Sequence, residues 1–340
     1  MSSPQVPSPN GNPTTTEPAQ PFHPGAPHLE RLGLGPLPSA PVGSDLRFPD
    51  GGAWRVEIPS VEGPAALEAV ISTARSLSVP LHRVSQGSGV MMLTDSEITE
   101  MVQMCSDEQI ELCLFLGPRA SWDTGAQRST PGGTLVGRAR GRSALGACVE
   151  EAIRASSLGV GSLLTADEGV TWTLHQLREA GDLPASLQLK VSIQAAPANP
   201  ASFRLMENLG ADTINVPSDL SLEQVAELRA AGSVAIDFYL EAPDTIGGFV
   251  RHYDIAEIIR VAAPVYVKFG LRNAPDIYPS GAHLAGVVIA SAVERVRRAR
   301  LCLDLLERHA PPATTGLAMS PLGSREQAPL ERLEARYSRV

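Results

Sequence analysis

The chain has 340 residues, of which 43% are hydrophobic and 19% charged, and its formal net charge is −9 at pH 7. This length can bury a large core, and the composition is ordinary for a soluble globular protein. The negative net charge argues against a general nucleic-acid binder, so we expect no nucleic-acid partner.

No apolar run reaches the roughly 18 residues that are needed to cross a bilayer, and no basic segment followed by an apolar one opens the chain. We therefore predict a cytoplasmic protein without a membrane partner. The four cysteines show neither metal-binding nor redox spacing and are expected as buried apolar residues: Cys105, Cys113, Cys148 and Cys302. We predict no metal and no cofactor.

Residues 1–45 are rich in Pro, Ser, Thr and Gly, which predicts a disordered Pro-rich tail. Residues 46–310 are predicted to form one domain. Residues 311–340 again contain Pro, Gly and Ser and are predicted to be a flexible C-terminal tail. The sequence leaves the oligomeric state open, a homo-oligomer included.

Between the tails, a short β-branched or apolar run followed by an amphipathic helical pattern occurs eight times. The strands are predicted at 54–60, 81–86, 111–117, 162–167, 188–194, 212–217, 234–241 and 264–271. The helices are predicted near 63–77, 95–107, 143–158, 169–180, 200–209, 221–231, 252–262 and 281–308. Eight such units in about 250 residues are typical of an α/β protein of the (β/α)₈ TIM barrel type.

Three of the predicted strands carry a clearly polar face. The polar positions of the fifth, seventh and eighth strands are Lys190, Ser192, Gln194, Asp237, Tyr239, Glu241, Tyr266, Lys268, Gly270 and Arg272. Alternate residues of a strand share a face, and the apolar face must meet the helix layer. The polar face is therefore predicted to point into the barrel. Such an interior is costly unless it binds a ligand or its charges pair.

Barrel enzymes carry their chemistry at the C-terminal ends of the strands. The catalytic candidates at these ends are Lys268, Glu241, Glu57 and Asp167. Lys268 could be a Schiff-base nucleophile, a proton carrier or a counter-ion for phosphate or carboxylate. The alternative is a buried ion pair with Glu241, one strand away. Lys190 is given less weight because its early place in the strand suggests the bottom of the barrel.

The carboxylates among these candidates could supply a general acid/base pair or oxygen ligands for a divalent ion, although no metal-binding spacing supports an ion. The predicted substrate-binding residues are Arg272, Asn273, Gln194, Asn215, Arg119, Ser280 and Gly281. Ser280 and Gly281 precede a predicted helix, whose N-terminus could hold an anion.

The third loop, from 118 to about 142, contains five arginines against one acid, Asp123, and five glycines. Such a loop on the catalytic rim is typical of a mobile lid that favours an anionic substrate. A solvated insertion without a binding role is the alternative.

Two segments resemble the U32 peptidase-like family. Residues 215–229 read NVPSDLSLEQVAELR and residues 236–242 read IDFYLEA. In that family a strand and a Leu-Ser-Leu-Glu-Glu helix start precede a Glu-x-Phe-x-His-Gly strand. The segment 56–60, followed by Gly63 and by 67–70, resembles the family's opening strand and helix. The resemblance implies a TIM barrel of hydrolase type.

The chain departs from the family pattern at the residues that carry known chemistry. Asp237 stands where the family has Glu, and Glu241-Ala242 stands where it has His-Gly. The cysteines that follow in the family signature are absent. An iron–sulfur cluster, and the RNA- and quinone-modifying activities that depend on it, are therefore not expected. No metal motif or nucleophile–base pair supports a peptidase.

The sequence as a whole favours a cytosolic barrel enzyme, of hydrolase or lyase type, with a small anionic molecule as substrate. One alternative is a non-catalytic barrel that binds a ligand or a partner protein and whose interior charges are paired. A third hypothesis is an RNA-acting protein that uses the arginines of the third loop.

Overall fold

The computed structural model describes residues 41–117 and 138–309, together with His28 and Arg31. Arg119, Arg128 and most of the proposed lid therefore lie outside the described residues, as do both predicted tails apart from residues 41–45 and those two side chains.

The described residues form a closed barrel in which each strand pairs in parallel with the next one and the eighth pairs with the first. The strands are β1 (Trp54–Pro59), β2 (Arg83–Gln86), β3 (Glu111–Phe115), β4 (Ser162–Thr165), β5 (Gln188–Val191), β6 (Thr213–Asn215), β7 (Ala235–Glu241) and β8 (Val265–Phe269). A helix follows every strand. These are α1 (Pro64–Ser76), α2 (Asp95–Asp107), α3 (Gly141–Ser157), α4 (Glu168–Ala180), α5 (Pro200–Asn208), α6 (Leu222–Ala231), α7 (Ile255–Ala262) and α8 (Ala285–His309). The predicted (β/α)₈ barrel is confirmed.

Local sequence signals fix the starts of several helices, and hence the ends of the loops at the barrel mouth. Thr94 forms a capping box with Glu97 at α2, and Ser221 forms one with Gln224 at α6. Each box satisfies backbone N–H groups that the first helical turn leaves without partners. The loops that carry functional residues are thereby held between well-defined elements.

The apolar core lies between the strands and the helices. Val56, Ile58, Val267 and Phe269 belong to this layer and are fully buried. The opposite faces of the same strands line a polar interior. At the N-terminal end of the barrel, the ring of Phe48 packs edge-on against Tyr266, with 5.2 Å between the ring centroids. The segment before β1 thus closes the bottom.

Residues 41–50 are joined to the rest of the domain by hydrogen bonds to α7. The Ser44 amide donates to the carbonyl of Arg260 at 2.8 Å, and the guanidinium of Arg260 donates to the carbonyl of Pro41. The four cysteines are buried and free, as expected. In the described segments, none of the helices combines the length and apolar character that a bilayer crossing requires.

Candidate active site

The centre of the barrel holds a network of buried charges. Three carboxylates meet three cationic side chains there, and all six are largely or fully removed from solvent: Glu57, Glu111, Asp237, Arg83, Lys190 and Lys268. The network is formally neutral. A balanced set of this kind avoids the large penalty of isolated charges in a low-dielectric interior.

Glu57 is the hub of this network. Its Oε2 accepts hydrogen bonds from Lys190 and, at 3.2 Å, from Arg83. Its Oε1 accepts one from Ser85 at 2.7 Å and lies 3.1 Å from the Nζ atom of Lys268. Lys190, on β5, crosses the barrel to reach Glu57 on β1. One carboxylate therefore joins the two lysines.

Arg83 links Glu57 to the lower half of the interior. Its guanidinium donates to Asp237 Oδ1 at 2.7 Å and to Glu111 Oε1 at 2.9 Å. Its Cζ atom lies 3.4 Å from the centroid of the Tyr266 ring. Asp237 Oδ1 also lies 3.5 Å from the Nζ atom of Lys190, whereas its Oδ2 is buried without a hydrogen-bond partner among the described residues. The network keeps one free acceptor.

The charges shift the pKa values of their neighbours. Burial by itself would raise the pKa of Glu57, but the charges of Lys190, Lys268 and Arg83 outweigh it and hold that pKa well below its usual range. Burial would also raise the pKa of Glu111, but the positive charge of Arg83 acts in the opposite direction, and the pKa of Glu111 is lowered. Burial lowers the pKa of Lys190, and the nearby Lys268 acts in the same direction. Lys190 thus loses its proton more readily than an exposed lysine.

The two lowered glutamate pKa values predict acid sensitivity. Unfolded glutamates take up protons near pH 4.3, whereas Glu57 and Glu111 do so only at lower pH when folded. The stabilisation is therefore complete above this pH and is lost as the pH falls toward the folded-state values. Denaturant unfolding at about pH 7, 5, 4 and 3 should show a clear loss of stability below about pH 4.5. A flat profile down to about pH 3 would contradict the paired network.

Lys190 and Lys268 are the only two lysines in the 340-residue sequence, and the other 26 basic side chains of the Lys/Arg type are arginines. Both lysines lie inside the barrel on the same carboxylate. Arginine does not lose its proton in proteins, whereas the lysine amine can. The chain therefore uses lysine only where an amine stands in the barrel interior.

Lys268 lies on the mouth side of the network and is the penultimate residue of β8. Its Nζ atom donates to Asn215 Oδ1 at 2.6 Å and lies 4.4 Å from the centroid of the Tyr239 ring. Asn215 is held in turn by a hydrogen bond from its Nδ2 to the carbonyl of Val191 at 2.6 Å. The structure thus brings together three of the predicted site residues: Lys268, Glu57 and Asn215.

The eighth loop, residues 270–281, covers this end of the barrel. The hydroxyl of Tyr278 is hydrogen-bonded to Ser60, and its ring lies so close to Gly87 that a Cβ atom there would stand 2.6 Å from Tyr278 Cε1. The amide of Ser280 donates to Ser88 Oγ at 2.8 Å. Ser60 itself has a φ of 61°, an unfavourable value for a residue other than glycine. Lys268 is only 2% exposed beneath this cover.

The predicted position of Glu241 beside Lys268 is wrong. The pairing of β7 with β8 shifts by one residue between Tyr239 and Glu241, so that Glu241 lies opposite Phe269 in the helix-facing layer. Such an irregularity turns a side chain to the other face of the sheet. Glu241 Oε2 lies 3.1 Å from His252 Nε2 and 3.6 Å from Arg298 Nε. The partner of Lys268 is Glu57 instead.

Asp167 lies away from the network. It caps α4 by accepting from the Val170 amide at 3.1 Å, and it accepts from the Ala139 amide at 3.3 Å. These bonds hold the helix start and the end of the third loop. Asp167 therefore makes no contact with Lys268 that would support its predicted catalytic role.

The predicted substrate-binding residues differ in their exposure and in their hydrogen bonds. Gln194 follows β5, and its Oε1 is buried without a hydrogen-bond partner among the described residues. Arg272 and Asn273 are exposed on the eighth loop. Ser280 uses both its amide and its hydroxyl within the protein, because its Oγ donates to the carbonyl of Ile277. Gly281 is exposed beside it.

Two residues of the network, Arg83 and Lys190, are not among the site residues that the sequence predicts. Arg83 and Ser85 alternate in β2 and share its inner face, so period-2 reasoning could have found Arg83. The early position of Lys190 in β5 predicts a place near the bottom of the barrel, but its long side chain reaches Glu57 on the opposite strand. The presence of only two lysines in the sequence is the signal that could have marked both of them as site residues.

The fold and the polar interior define a (β/α)₈ barrel protein, and comparisons with known proteins do not narrow that class. No protein-family model and no curated protein sequence matches the chain. Among solved structures it is similar to the YdjI aldolase from Escherichia coli K12, with 15% identity and a TM-score of 0.46 over 78% of this chain and 94% of the aldolase. It is also similar to the U32 peptidase Mk0906, with 19% identity and a TM-score of 0.38 over 62% of this chain and 74% of the peptidase. These similarities extend to the barrel fold alone.

Proposed function

We propose that this protein is a cytoplasmic enzyme of lyase or hydrolase type that uses the amine of Lys268 on a small anionic molecule with a carbonyl group. The observation that carries the proposal is the placement of the chain's two lysines on the single carboxylate Glu57, at the C-terminal half of the barrel. Barrel enzymes bind their substrates at that end. Free, buried cysteines fit a reducing compartment.

The chemistry follows from the contacts of Lys268. Its ammonium passes one proton to the carbonyl oxygen of the substrate, and the neutral amine attacks the carbonyl carbon. Glu57, which lies 3.1 Å away and whose pKa is held low, stays ionised and positions the amine. A C–N bond forms, the carbonyl oxygen leaves as water, and the product is a protonated Schiff base. Lys190 remains on the same carboxylate, and its lowered pKa suits a group that exchanges protons during the reaction.

Substrate entry requires the eighth loop to move, because Tyr278 and its neighbours cover Lys268. The loop is held by contacts of Tyr278 and Ser280 with Ser60 and Ser88, by the backbone amides of Arg272 and Asn273 on Glu241 and Asp244, and by the buried side chain of Ile277. A closing loop that excludes water would protect the Schiff base from premature hydrolysis. The sequence resemblance to the U32 peptidase-like family favours a distant relationship, but we do not propose peptidase activity.

Reductive trapping tests the proposal. The protein is incubated with a 2-oxo acid such as pyruvate, treated with borohydride and weighed by intact mass spectrometry. We expect a stable adduct of one substrate unit with pyruvate and none with lactate, which has the same charge but no carbonyl. Because the sequence contains only two lysines, the only other amine that could form such an adduct is the N-terminal one, and peptide mapping separates it from the lysines. No adduct with any of a set of small oxo acids and sugar phosphates would refute the Schiff-base route.

A second candidate function is favoured by a specific observation. Three buried carboxylates balance three buried cations, and every one of the cations has a carboxylate within 4.0 Å. A non-catalytic barrel that binds a ligand or a partner protein could use the network for structural specificity alone. In that case the lysines would remain unmodified under the trapping conditions, and any ligand would bind equally well to a Lys268→Met variant.

A further inference from the structure

Arg295 is a buried arginine without a counter-charge within ion-pair distance among the described residues. It is 3% exposed, and its Nε and Nη1 atoms have no hydrogen-bond partner there. Leaving a guanidinium buried and unpaired costs several kcal/mol, on the order of the penalty for an isolated ion. Such a group is expected to have a partner in the working state of the protein.

The position of Arg295 identifies where that partner lies. It stands on α8, which packs against β1 and β8. Arg298, three residues further on, lies 3.6 Å from Glu241, the last residue of β7. This turn of α8 is therefore level with the C-terminal ends of the strands. Helical side chains lean toward the helix N-terminus, which in α8 means toward the mouth of the barrel.

The positive charge of Arg295 affects the pKa values of two tyrosines at the mouth of the barrel. Burial raises the pKa of Tyr278 and of Tyr239, and the positive charge of Arg295 acts on both in the opposite direction. Tyr278 belongs to the eighth loop, and the ring of Tyr239 lies 4.4 Å from Lys268 Nζ. Both tyrosines therefore lie within electrostatic range of Arg295, and one of them contacts the proposed catalytic amine.

We propose that Arg295 is the anion-binding residue of this site and holds a carboxylate or phosphate group of the small molecule whose carbonyl faces Lys268. A guanidinium presents a planar set of donors that matches both oxyanions. The inference rests on the proposed function for the carbonyl, but the anion site itself is independent of it. The predicted anion-binding residues Arg272 and Gly281 lie on the exposed surface, whereas Arg295 is desolvated, where a charge-assisted hydrogen bond is stronger.

Thermal unfolding with inorganic phosphate, with acetate, and with chloride at equal ionic strength tests the anion site. The variants are Arg295→Met and, as a matched control on the same helix, Arg297→Met, which removes an exposed arginine. We expect phosphate or acetate to raise the Tm of the wild type and of Arg297→Met by roughly 2–4 °C over chloride, and to leave that of Arg295→Met unchanged. Which of the two anions acts distinguishes phosphate from carboxylate recognition.

The stability of the unliganded variant gives a second readout. Replacing an unpaired buried arginine by methionine should leave the Tm in chloride equal or higher. A large fall in that Tm would show that Arg295 is a structural residue, and equal protection of Arg295→Met by the anions, or no protection of the wild type, would also overturn the proposal. The trapping reaction on Lys268 does not require Arg295, so failure of one test leaves the other interpretable.

Discussion

Replacing Glu57 by glutamine is expected to destabilise the protein by about 3–5 kcal/mol, the range for removing one partner of a buried ion pair. Glutamine keeps the size of the side chain but removes the charge that Lys190, Lys268 and Arg83 share. The expected fall in Tm is roughly 10 °C or more. Denaturant unfolding with a constant m-value is the measurement, because it separates stability from changes in compactness.

A double variant makes this prediction specific. Glu57→Gln with Lys190→Met removes one charge of each sign, so the double variant should be more stable than the sum of the two single losses predicts. The matched control is Glu57→Gln with Arg297→Met, whose exposed guanidinium pairs with Glu294 and has no contact with Glu57, so that these two losses should add. Strict additivity for Glu57 and Lys190 would show that the hub does not couple them.

Replacing Lys190 and replacing Lys268 are expected to have different effects on stability and on activity. Lys190→Met should lower the free energy of unfolding by about 3–5 kcal/mol, because the amine of Lys190 forms ion pairs with both Glu57 and Asp237. Lys268→Met should cost less, about 1–3 kcal/mol, since Glu57 keeps Lys190, Arg83 and Ser85. Activity should show the reverse order. Turnover of the trapped substrate should be abolished in Lys268→Met, while Lys190→Met should retain a measurable fraction with a shifted pH profile.

The measurements are equilibrium unfolding and steady-state rates at several pH values on the same preparations. A structural role for both lysines would give parallel losses of stability and activity. A Lys268→Met protein that unfolds like the wild type and still turns over the substrate would remove Lys268 from the chemistry. Because methionine is close to lysine in length and is apolar, neither variant should leave a large cavity.

Much of the fold follows from local sequence patterns, whereas the site depends on distances that those patterns do not contain. β7 was predicted at 234–241 and occupies Ala235–Glu241, because its alternation of apolar and polar residues is strong. The same alternation misplaced Glu241, since a one-residue irregularity leaves no trace in the composition of the strand. Local rules describe each strand but not the register between two of them.

The ion pairs at the centre were beyond sequence reasoning for a different reason. Glu57 and Lys190 are 133 residues apart and belong to β1 and β5, on opposite sides of the barrel. Strand order gives the neighbours of a residue around the wall, but contacts across the interior depend on barrel diameter and side-chain length. The burial of Arg295 could not be predicted from the sequence for a related reason. Only the packing of α8 shows that two nitrogen atoms of its guanidinium group are buried without a hydrogen-bond partner among the described residues.

The position of the reduced adduct in the chain is the most direct test of a lysine-based active site. After trapping with a carbonyl-containing anion, peptide mapping by mass spectrometry should place the added mass on Lys268, and the Lys268→Met variant should show none. The chain offers only Lys190 and the N-terminal amine as other amines of this kind, so the assignment is unambiguous. An adduct on the N-terminus or on Lys190 alone, or none on the folded protein, would contradict the account.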